Sequence, residues 1–333
     1  MIPINPLAMM IGFLIFIFSQ VLLGLLIACL LAFFIPRCRR YMLARRWRFG
    51  LMILFLTLAS VPYVWSEVTE WRDWRAHNPR LEHEEVLGDL VLPAGTQVRL
   101  EYLEPFNDLS GNPVPYGLRS LKQANFDRTP GNVMGLRVRS LALWQGQGSA
   151  TVETIAANDL QGWKCAPGDV EFRFPFGAPF NFSEWRFYGC TLAPGSTLGG
   201  IVWTGPVKVF STENDGWEAR AEDTDTSTSM LGMELRWLNM RLNGPYGDVL
   251  GWDGVLNREA DFGPVHYPVG TEVRRYRQAL LFNPPLETSA LDRRTGTSIE
   301  ADHSVLQRVS GELLGIRPNP QEGLQSFENI AIP

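Results

Sequence analysis

Two long apolar stretches occupy the start of the chain. Residues 7–36 contain no charged side chain, and residues 49–65 contain none either. A membrane-spanning helix needs about 20 predominantly apolar residues, with about 17 as the lower limit. The pattern therefore predicts a transmembrane hairpin over residues 1–66, with helices at about 7–36 and 49–65 and a connecting loop at 37–48.

The connecting loop predicts which side of the membrane each part faces. Residues 1–66 contain no acidic side chain, and their only charged residues are six arginines, Arg37, Arg39, Arg40, Arg45, Arg46 and Arg48. Basic loops stay in the cytoplasm. The N-terminus and everything from Glu67 onward are then predicted to lie outside, which is the periplasm of a bacterial cell with an inner membrane. The same arginines also suit anionic lipid or a cytoplasmic partner.

The first apolar stretch also carries a candidate packing face. Gly24, Ala28 and Ala32 are spaced four residues apart, so they share one side of a helix. Small residues let two membrane helices approach closely. A chance spacing in a run rich in alanine and leucine is the alternative. Gln20 is a strongly polar side chain in mid-helix and is expected to bond to a neighbouring helix.

The pattern changes after the membrane segments. Residues 67–87 keep a helical spacing of apolar residues and then meet Asn78-Pro79, and we interpret them as a juxtamembrane stalk. From Gly88, short apolar stretches alternate with turn residues, as in all-β proteins. We predict a β-repeat ectodomain over residues 88–282 and a separate C-terminal extension over 283–333, where Asn283-Pro-Pro-Leu changes the composition.

One pattern recurs along the ectodomain. It consists of a glycine, a short apolar strand, a turn with glycine, and alternating residues around a valine. Copies begin at Gly88, Gly162, Gly200 and Gly263, and weaker ones at Gly135 and Gly232. The alternation places apolar side chains on one face of a sheet, and repeated units bury such a face by stacking on neighbours. Stacked hairpins or a rolled sheet are therefore expected, with chance recurrence as the alternative.

The best-preserved copies carry a resemblance. Thr154-Ile-Ala-Ala-Asn-Asp-Leu-Gln-Gly-Trp-Lys-Cys-Ala-Pro-Gly-Asp-Val and Cys190-Thr-Leu-Ala-Pro-Gly-Ser-Thr-Leu-Gly-Gly-Ile-Val-Trp are the two segments concerned. They resemble repeats of uncharacterised bacterial envelope proteins, which contain Leu-Ala-x-x-Thr-x-x-x-Gly and Gly-x-x-Val-x-Phe β units. The resemblance covers about Gly88–Tyr276. It implies a β-repeat architecture and no particular activity.

The four cysteines fall into two pairs. Cys29 lies in the first apolar stretch and Cys38 in the arginine-rich loop, whereas Cys165 and Cys190 lie in adjacent β units of the ectodomain. Disulfides persist in oxidising compartments, so Cys165 and Cys190 are the candidate disulfide. Two buried free thiols at equivalent repeat positions are the alternative.

The sequence offers little catalytic chemistry. Its four histidines form no His-Glu-x-x-His motif, and no Gly-x-Ser-x-Gly elbow is present. We therefore predict no catalytic, metal-binding or cofactor-binding residues. The tract Glu222-Asp223-Thr-Asp225 suits weak calcium binding but is more typical of a surface loop. Six of the seven ectodomain tryptophans are candidates for stacking on a ligand, although a place in the buried core is more common: Trp163, Trp185, Trp203, Trp217, Trp237 and Trp252.

Charge limits the possible partners. Of the 30 basic residues, 24 follow residue 66, where they face 35 acidic residues. An acidic surface argues against nucleic acid. The predicted partners are membrane lipid and another envelope or secreted protein.

Three functions are compatible with these sequence features. The first is a membrane-tethered protein-interaction module, of which an immunity protein against an envelope-acting toxin is one kind. The second is an accessory subunit of an envelope complex. The third is a hydrolase or carbohydrate-binding protein whose site assembles from dispersed residues such as Glu184, Trp252 and Asp253.

Overall fold

A computed structural model describes residues 6–212, 216–221 and 227–320. The chain forms two compact units. The first contains the residues up to Pro79 together with Tyr102–Val114, and the second contains Arg80–Glu101 and the residues from Pro115 onward. The first unit is helical with one loop, and the second is almost entirely β-sheet, so the fold is all-β with an N-terminal helical hairpin, as predicted.

Three helices form the N-terminal part: α1 at Pro6–Ala32, α2 at Pro36–Ala44 and α3 at Arg46–His77. Two of them, α1 and α3, contain segments long and apolar enough to cross a membrane. The structure differs from the predicted boundaries in two ways. The arginine-rich loop is itself mostly the short helix α2, and α3 continues through the predicted stalk to His77 because its backbone hydrogen bonding does not end where the apolar run ends.

The contacts between the two long helices of the hairpin include one polar and one aromatic pair. The backbone N–H of Tyr63 donates to Ser19 Oγ at 3.0 Å, and the rings of Phe16 and Tyr63 are 5.1 Å apart. Ser19 is buried, whereas Gln20 is exposed. Ser19 therefore makes a polar contact between the two helices, and the bond expected between Gln20 and a neighbouring helix stays a prediction.

Within its described residues, the second unit contains 25 strands, from the two residues of β11 to the eleven of β9. The first thirteen are β1 Glu85–Leu87, β2 Leu90–Leu92, β3 Gln97–Leu100, β4 Leu121–Asn125, β5 Gly131–Val133, β6 Leu136–Trp144, β7 Ser149–Thr154, β8 Asn158–Leu160, β9 Trp163–Arg173, β10 Arg186–Leu192, β11 Thr197–Leu198, β12 Ile201–Val202 and β13 Val207–Ser211. The others are β14 Trp217–Ala221, β15 Thr228–Met230, β16 Met233–Leu242, β17 Val249–Leu256, β18 Ala260–Phe262, β19 Val265–Tyr267, β20 Glu272–Tyr276, β21 Ala279–Asn283, β22 Ala290–Asp292, β23 Thr297–Ile299, β24 His303–Arg308 and β25 Leu313–Pro318.

Nineteen of these strands form one antiparallel sheet. Its central path runs β3–β4–β6–β7–β9–β10–β13–β14–β16–β17–β20–β21–β24–β25. Short strands branch from this path as hairpins, with β5 on β6, β8 on β9 and β15 on β16. Strands β11 and β12 pair with each other, and β18, β19, β22 and β23 form a separate small sheet.

The main sheet has a core face and an outer face. On the core face, register aligns one row of buried residues across six neighbouring strands: Val152, Val170, Cys190, Val209, Ala219 and Met240. The next position along each strand points to the outer face, since successive side chains of a strand alternate. At these positions the outer face carries polar and charged residues. The sequence alternates between apolar and polar residues because only one face of the sheet is buried.

The short hairpins cover the core face and make a second layer. In the small sheet, the ring of Tyr267 stacks on Phe282 of the main sheet at 4.1 Å, and the Tyr267 hydroxyl donates to Gln307 Oε1 at 2.6 Å. In the β8–β9 hairpin, Trp163 lies 5.2 Å from the ring of Trp217. The core therefore lies between one large sheet and the hairpins folded over it.

A two-residue turn closes a short hairpin at each of the six glycines of the recurring pattern. In the turn between β5 and β6, Met134 and Gly135 have φ angles of 53° and 82°. Positive φ at both central residues defines a type I′ turn, whose twist matches paired strands. The turns at Gln161-Gly162, Gly199-Gly200 and Leu231-Gly232 repeat this conformation. Common descent of these units stays a prediction, whereas their shared hairpin geometry is observed.

A second turn recurs three times, each time directly beside a short hairpin. In each, a hydroxyl donates to the carbonyl oxygen three residues earlier, and the glycine before the hydroxyl has positive φ. The pairs are Thr96 with Pro93 at 2.7 Å, Ser196 with Ala193 at 2.6 Å, and Thr271 with Pro268 at 2.8 Å. The hydroxyl fixes the turn, which explains the repeated Gly-Thr and Gly-Ser pairs in the sequence.

The C-terminal residues differ from the predicted separate extension. Strand β24 pairs with β21 of the main sheet and β25 pairs with β24, and Val305 and Leu306 are buried. The prolines after Asn283 interrupt the chain only locally, after which it returns to the sheet. Residues 321–333 of the predicted extension lie outside the described residues, as does the acidic tract Glu222-Asp223-Thr-Asp225.

Candidate interaction face

A row of polar side chains crosses five strands of the outer face. Register places Lys208, Arg220, Asn239, Asp253 and Arg274 opposite one another on β13, β14, β16, β17 and β20. Three of the cations in or beside this row have acidic partners: Lys208 pairs with Glu171 at 2.7 Å, Arg220 with Glu218 at 3.1 Å, and Arg274 with Glu272 at 3.6 Å. The outer face is thus a ladder of charges of both signs.

A bulge in β16 interrupts this ladder. Pairing with β17 runs from Arg236 opposite Val255 to Asn239 opposite Asp253, so β16 contains one extra residue. Trp237 lies in the bulge with a φ of 52°. A bulky residue rarely adopts this left-handed conformation, which costs on the order of 1–3 kcal/mol and concentrates at functional sites. The bulge is therefore the first feature that marks this part of the face.

The bulge leaves a tryptophan side chain in solvent. Trp237 is 49 % exposed, and the guanidinium carbon of Arg236 lies 4.6 Å from the centre of its ring. Exposed tryptophan and arginine are the side chains most enriched where protein interfaces concentrate their binding energy. We name the surface made by Arg220, Arg236, Trp237, Asn239, Asp253 and Arg274 the Trp237 face.

Two polar atoms of the Trp237 face are buried without a partner. Among the described residues, neither Arg236 Nε nor Asn239 Oδ1 forms a hydrogen bond. A buried polar atom left unpaired costs about 1–3 kcal/mol. Beside the exposed indole, a bound partner can therefore supply hydrogen bonds that no described residue supplies.

The carboxylate of Asp253 is the third costly feature of this face. Partial burial is the largest cause and raises the pKa of Asp253. Arg274 acts in the opposite direction, and Glu218 adds to the increase. Because the charged form is disfavoured, an ionised Asp253 destabilises the folded protein at neutral pH.

We expect Asp253→Asn to stabilise the protein at pH 7 and to lose this advantage in acid. The unfolded carboxyl titrates at about pH 4, and the folded one titrates higher. As the pH rises through this interval, the Asp253 carboxyl loses its proton in the unfolded state before it does so in the folded state. The wild-type protein therefore loses folding stability, whereas the asparagine variant, which has no proton to release, does not. Thermal melting of both proteins at pH 7 and at about pH 3.5, below the unfolded pKa, measures the difference. An equal gain at the two pH values would contradict the assignment to Asp253.

Five of the six candidate tryptophans belong to the core. Trp163, Trp185, Trp203, Trp217 and Trp252 are buried, and only Trp237 of this set is exposed. Trp252 and Asp253 are consecutive in β17, so they lie on opposite faces of the sheet. Glu184 lies in a short 3-10 turn, where its carboxylate accepts a hydrogen bond from Asn181 at 2.6 Å. The structure therefore does not combine Glu184, Trp252 and Asp253 into one site.

The candidate disulfide and the membrane residues occupy different regions. A disulfide joins Cys165 of β9 to Cys190 of β10 in the core. The six arginines of the connecting loop are all exposed. Gly24 and Ala28 are exposed and Ala32 is half-buried, so the small-residue face of α1 points away from the Phe16 and Ser19 side that contacts α3.

Some residues of the Trp237 face are not distinguished by the sequence. Arg220, Arg236 and Asn239 resemble ordinary surface residues of a strand. A signal is present, because the apolar alternation of β16 slips by one position at Trp237-Leu238 and then resumes at Met240 and Leu242. Such a slip is typical of a β-bulge.

Comparison with known proteins gives no match to a protein family, to a curated protein or to a solved structure. Within the described residues, no group of three or more histidine, cysteine, aspartate or glutamate side chains is arranged to hold a metal ion. The assignment of function therefore rests on the Trp237 face and on the apolar helices.

Proposed function

We propose that this protein is a membrane-tethered interaction module that binds another envelope or secreted protein through the Trp237 face. The observation that carries the proposal is the exposed Trp237, held in a left-handed conformation beside two unpaired buried polar atoms. Strain, orphaned polar atoms and a disfavoured carboxylate all lower stability. Their concentration in one place is the pattern expected where function opposes stability.

The chemistry of the face favours a partner with both an apolar contact and charges. Trp237 offers a flat apolar surface, Arg236 offers unused donors, and the Asp253 carboxylate has no ion pair with any described residue. A protein surface can satisfy all three at once. An acidic side chain would reach Arg236, and a basic side chain would lower the pKa of Asp253 by favouring its charged form.

Two observations support a location outside the cytoplasm. The helices α1 and α3 have the length and apolarity of membrane spans, and six exposed arginines lie between their uncharged segments. The disulfide is the second support, because disulfides persist in oxidising compartments. We infer an inner-membrane anchor with the N-terminus and the β unit in the periplasm.

A reporter enzyme that is active only outside the cytoplasm tests this orientation. Fused after Pro333, it is expected to be fully active. A matched fusion after Arg45, within the arginine-rich segment, is expected to be inactive although equally expressed. The reverse result would overturn the proposed orientation.

Partner binding is tested by affinity capture of the full-length protein from its native host in mild detergent. We expect one stoichiometric protein with the wild type and a loss of at least about tenfold with Trp237→Ala, since a central interface tryptophan contributes about 2 kcal/mol or more. Trp144→Ala is the matched control, because Trp144 is exposed to a similar extent on β6. Equal capture by the two variants would contradict the proposal. A captured protein that is toxic when exported alone would assign the immunity role.

The small-residue face of α1 supports a second candidate, a subunit of an envelope complex. The hairpin leaves Gly24 and Ala28 exposed, so a helix of another protein can approach closely there. Gly24→Leu is expected to release co-purifying membrane proteins, while Leu25→Ile on the neighbouring position is expected to retain them. Unchanged co-purification in Gly24→Leu would exclude this role.

A further inference from the structure

A second exposed tryptophan of the outer face borders a cleft. Trp144 is the last residue of β6 and is 46 % exposed. The cleft has a volume of about 460 Å³, within the range of small-molecule sites. Ala142 also lines the cleft, two positions before Trp144 on the same side of β6. A small residue between larger neighbours is what creates the depression.

Polar groups line the rest of the cleft. Arg99 of β3 and Gln123 of β4 lie directly opposite each other in the register, and Gln123 is in turn opposite Ala142. Beside them, Lys122 pairs with Glu101 at 3.0 Å. Hydrogen-bond donors and acceptors of these side chains therefore lie next to each other in the cleft, which the indole of Trp144 also lines.

The turn at the edge of the cleft is fixed in place. Gln145 Nε2 donates to the carbonyl oxygens of Arg119 and Leu121, both at 3.2 Å. This anchors the short 3-10 turn Gln145–Gln147 that follows Trp144. A site held by such contacts is largely formed before a ligand arrives, which lowers the entropic cost of binding.

The chemistry of the cleft selects among ligand classes. A peptide strand added to β4 or β6 would need unpaired backbone groups, but β4 already pairs with β3 and β6, and β6 pairs with β4, β5 and β7. An apolar ligand would leave the charged and amide side chains of the wall, such as Arg99 and Gln123, without hydrogen-bond partners. A sugar ring suits both the indole and the polar wall of the cleft. Its C–H face packs on the indole, and its hydroxyls donate and accept hydrogen bonds.

We propose that the Trp144 cleft binds a saccharide that carries a carboxylate. Trp144 stacks on the ring, the Gln123 amide and the Glu101–Lys122 pair bind hydroxyls, and Arg99 binds the carboxylate. Within the described residues the Arg99 guanidinium has no ion pair, so it is available for an anion. This site is separate from the Trp237 face and does not depend on the function proposed for that face.

Calorimetric titration of the full-length protein tests the proposal, in a detergent without a sugar headgroup. The probes are trigalacturonate and the neutral galactotriose. We expect saturable binding of trigalacturonate in the millimolar range or tighter, and weaker binding of the neutral probe. Trp144→Ala is expected to weaken trigalacturonate about tenfold, equivalent to the loss of one stacking contact. Arg99→Gln is expected to remove the preference for the acidic probe.

Two further variants keep the test independent of folding and of the other face. Ala142→Leu fills the cleft without removing Trp144, and is expected to abolish binding while the melting temperature stays near that of the wild type. Trp237→Ala is expected to bind trigalacturonate as the wild type does. Absence of saturable binding, or binding that Trp144→Ala and Ala142→Leu leave unchanged, would overturn the proposal. Equal affinity for both probes would overturn the role of Arg99.

Discussion

Replacing Trp163 with alanine is expected to lower the free energy of unfolding by about 3–5 kcal/mol, the usual cost of deleting a buried tryptophan side chain. Trp163 is fully buried. Its ring lies 5.2 Å from Trp217 and 5.0 Å from Tyr246. The side chain packs the start of β9 against Trp217 of β14 and against Tyr246, so its loss opens a cavity in the core.

Urea unfolding of the full-length protein in mild detergent, followed by circular dichroism, measures this loss. Trp144→Ala serves as the matched control, because it removes the same side chain from an exposed position and is expected to change stability by less than about 0.5 kcal/mol. Similar losses in both variants would mean that the buried contacts of Trp163 do not stabilise the core.

Removal of the disulfide is the second large effect. Cys165 and Cys190 are separated by 25 positions, and closing a loop of this length is expected to contribute about 3–4 kcal/mol by restricting the unfolded chain. The double variant Cys165→Ala/Cys190→Ala should therefore unfold at a clearly lower urea concentration than the wild type.

Reduction provides an independent check of the same quantity. The wild-type protein is expected to lose a similar amount of stability when a strong thiol reductant is present, and the double variant is expected to be insensitive to it. Cys29→Ser/Cys38→Ser is the control, since these cysteines are free and the variant should keep the wild-type response. An unchanged free energy of unfolding of the wild-type protein in the presence of reductant would contradict a stabilising disulfide.

The fold class is predictable from the sequence because its signals are local. An uncharged run of about 20 residues is sufficient to indicate a membrane-length helix, and the structure has α1 and α3 at those places. The glycines of the recurring pattern are also informative. Gly135 and Gly162 occupy turn positions with positive φ, which glycine adopts without steric cost, so their spacing along the chain indicates where the hairpins turn.

Boundaries and long-range pairing are harder to predict. Helix α3 extends to His77 because helical hydrogen bonding continues beyond the apolar run. Strand β24 pairs with β21, although Pro284 and Pro285 separate them from each other in the sequence. Which strands pair across such an interruption depends on the packing of the whole sheet, and no local pattern encodes it.

The residues of the candidate face come together for a related, non-local reason. Arg220, Asn239 and Asp253 belong to three strands, and only their register brings them into one row. The sequence alone does not indicate which of the six candidate tryptophans is exposed. Its exposure and its left-handed backbone, which separate it from the five buried ones, arise from the bulge in β16.

Site-specific photo-crosslinking in living cells tests the central claim most directly. A photoreactive phenylalanine replaces Trp237 in the full-length protein, and a second variant carries it in place of Leu286, which is almost fully exposed outside the Trp237 face. We predict that illumination joins the Trp237 variant to one envelope or secreted protein, and that the Leu286 variant yields no such product. Identical crosslinking patterns from both positions, or no product from position 237, would contradict binding through the Trp237 face.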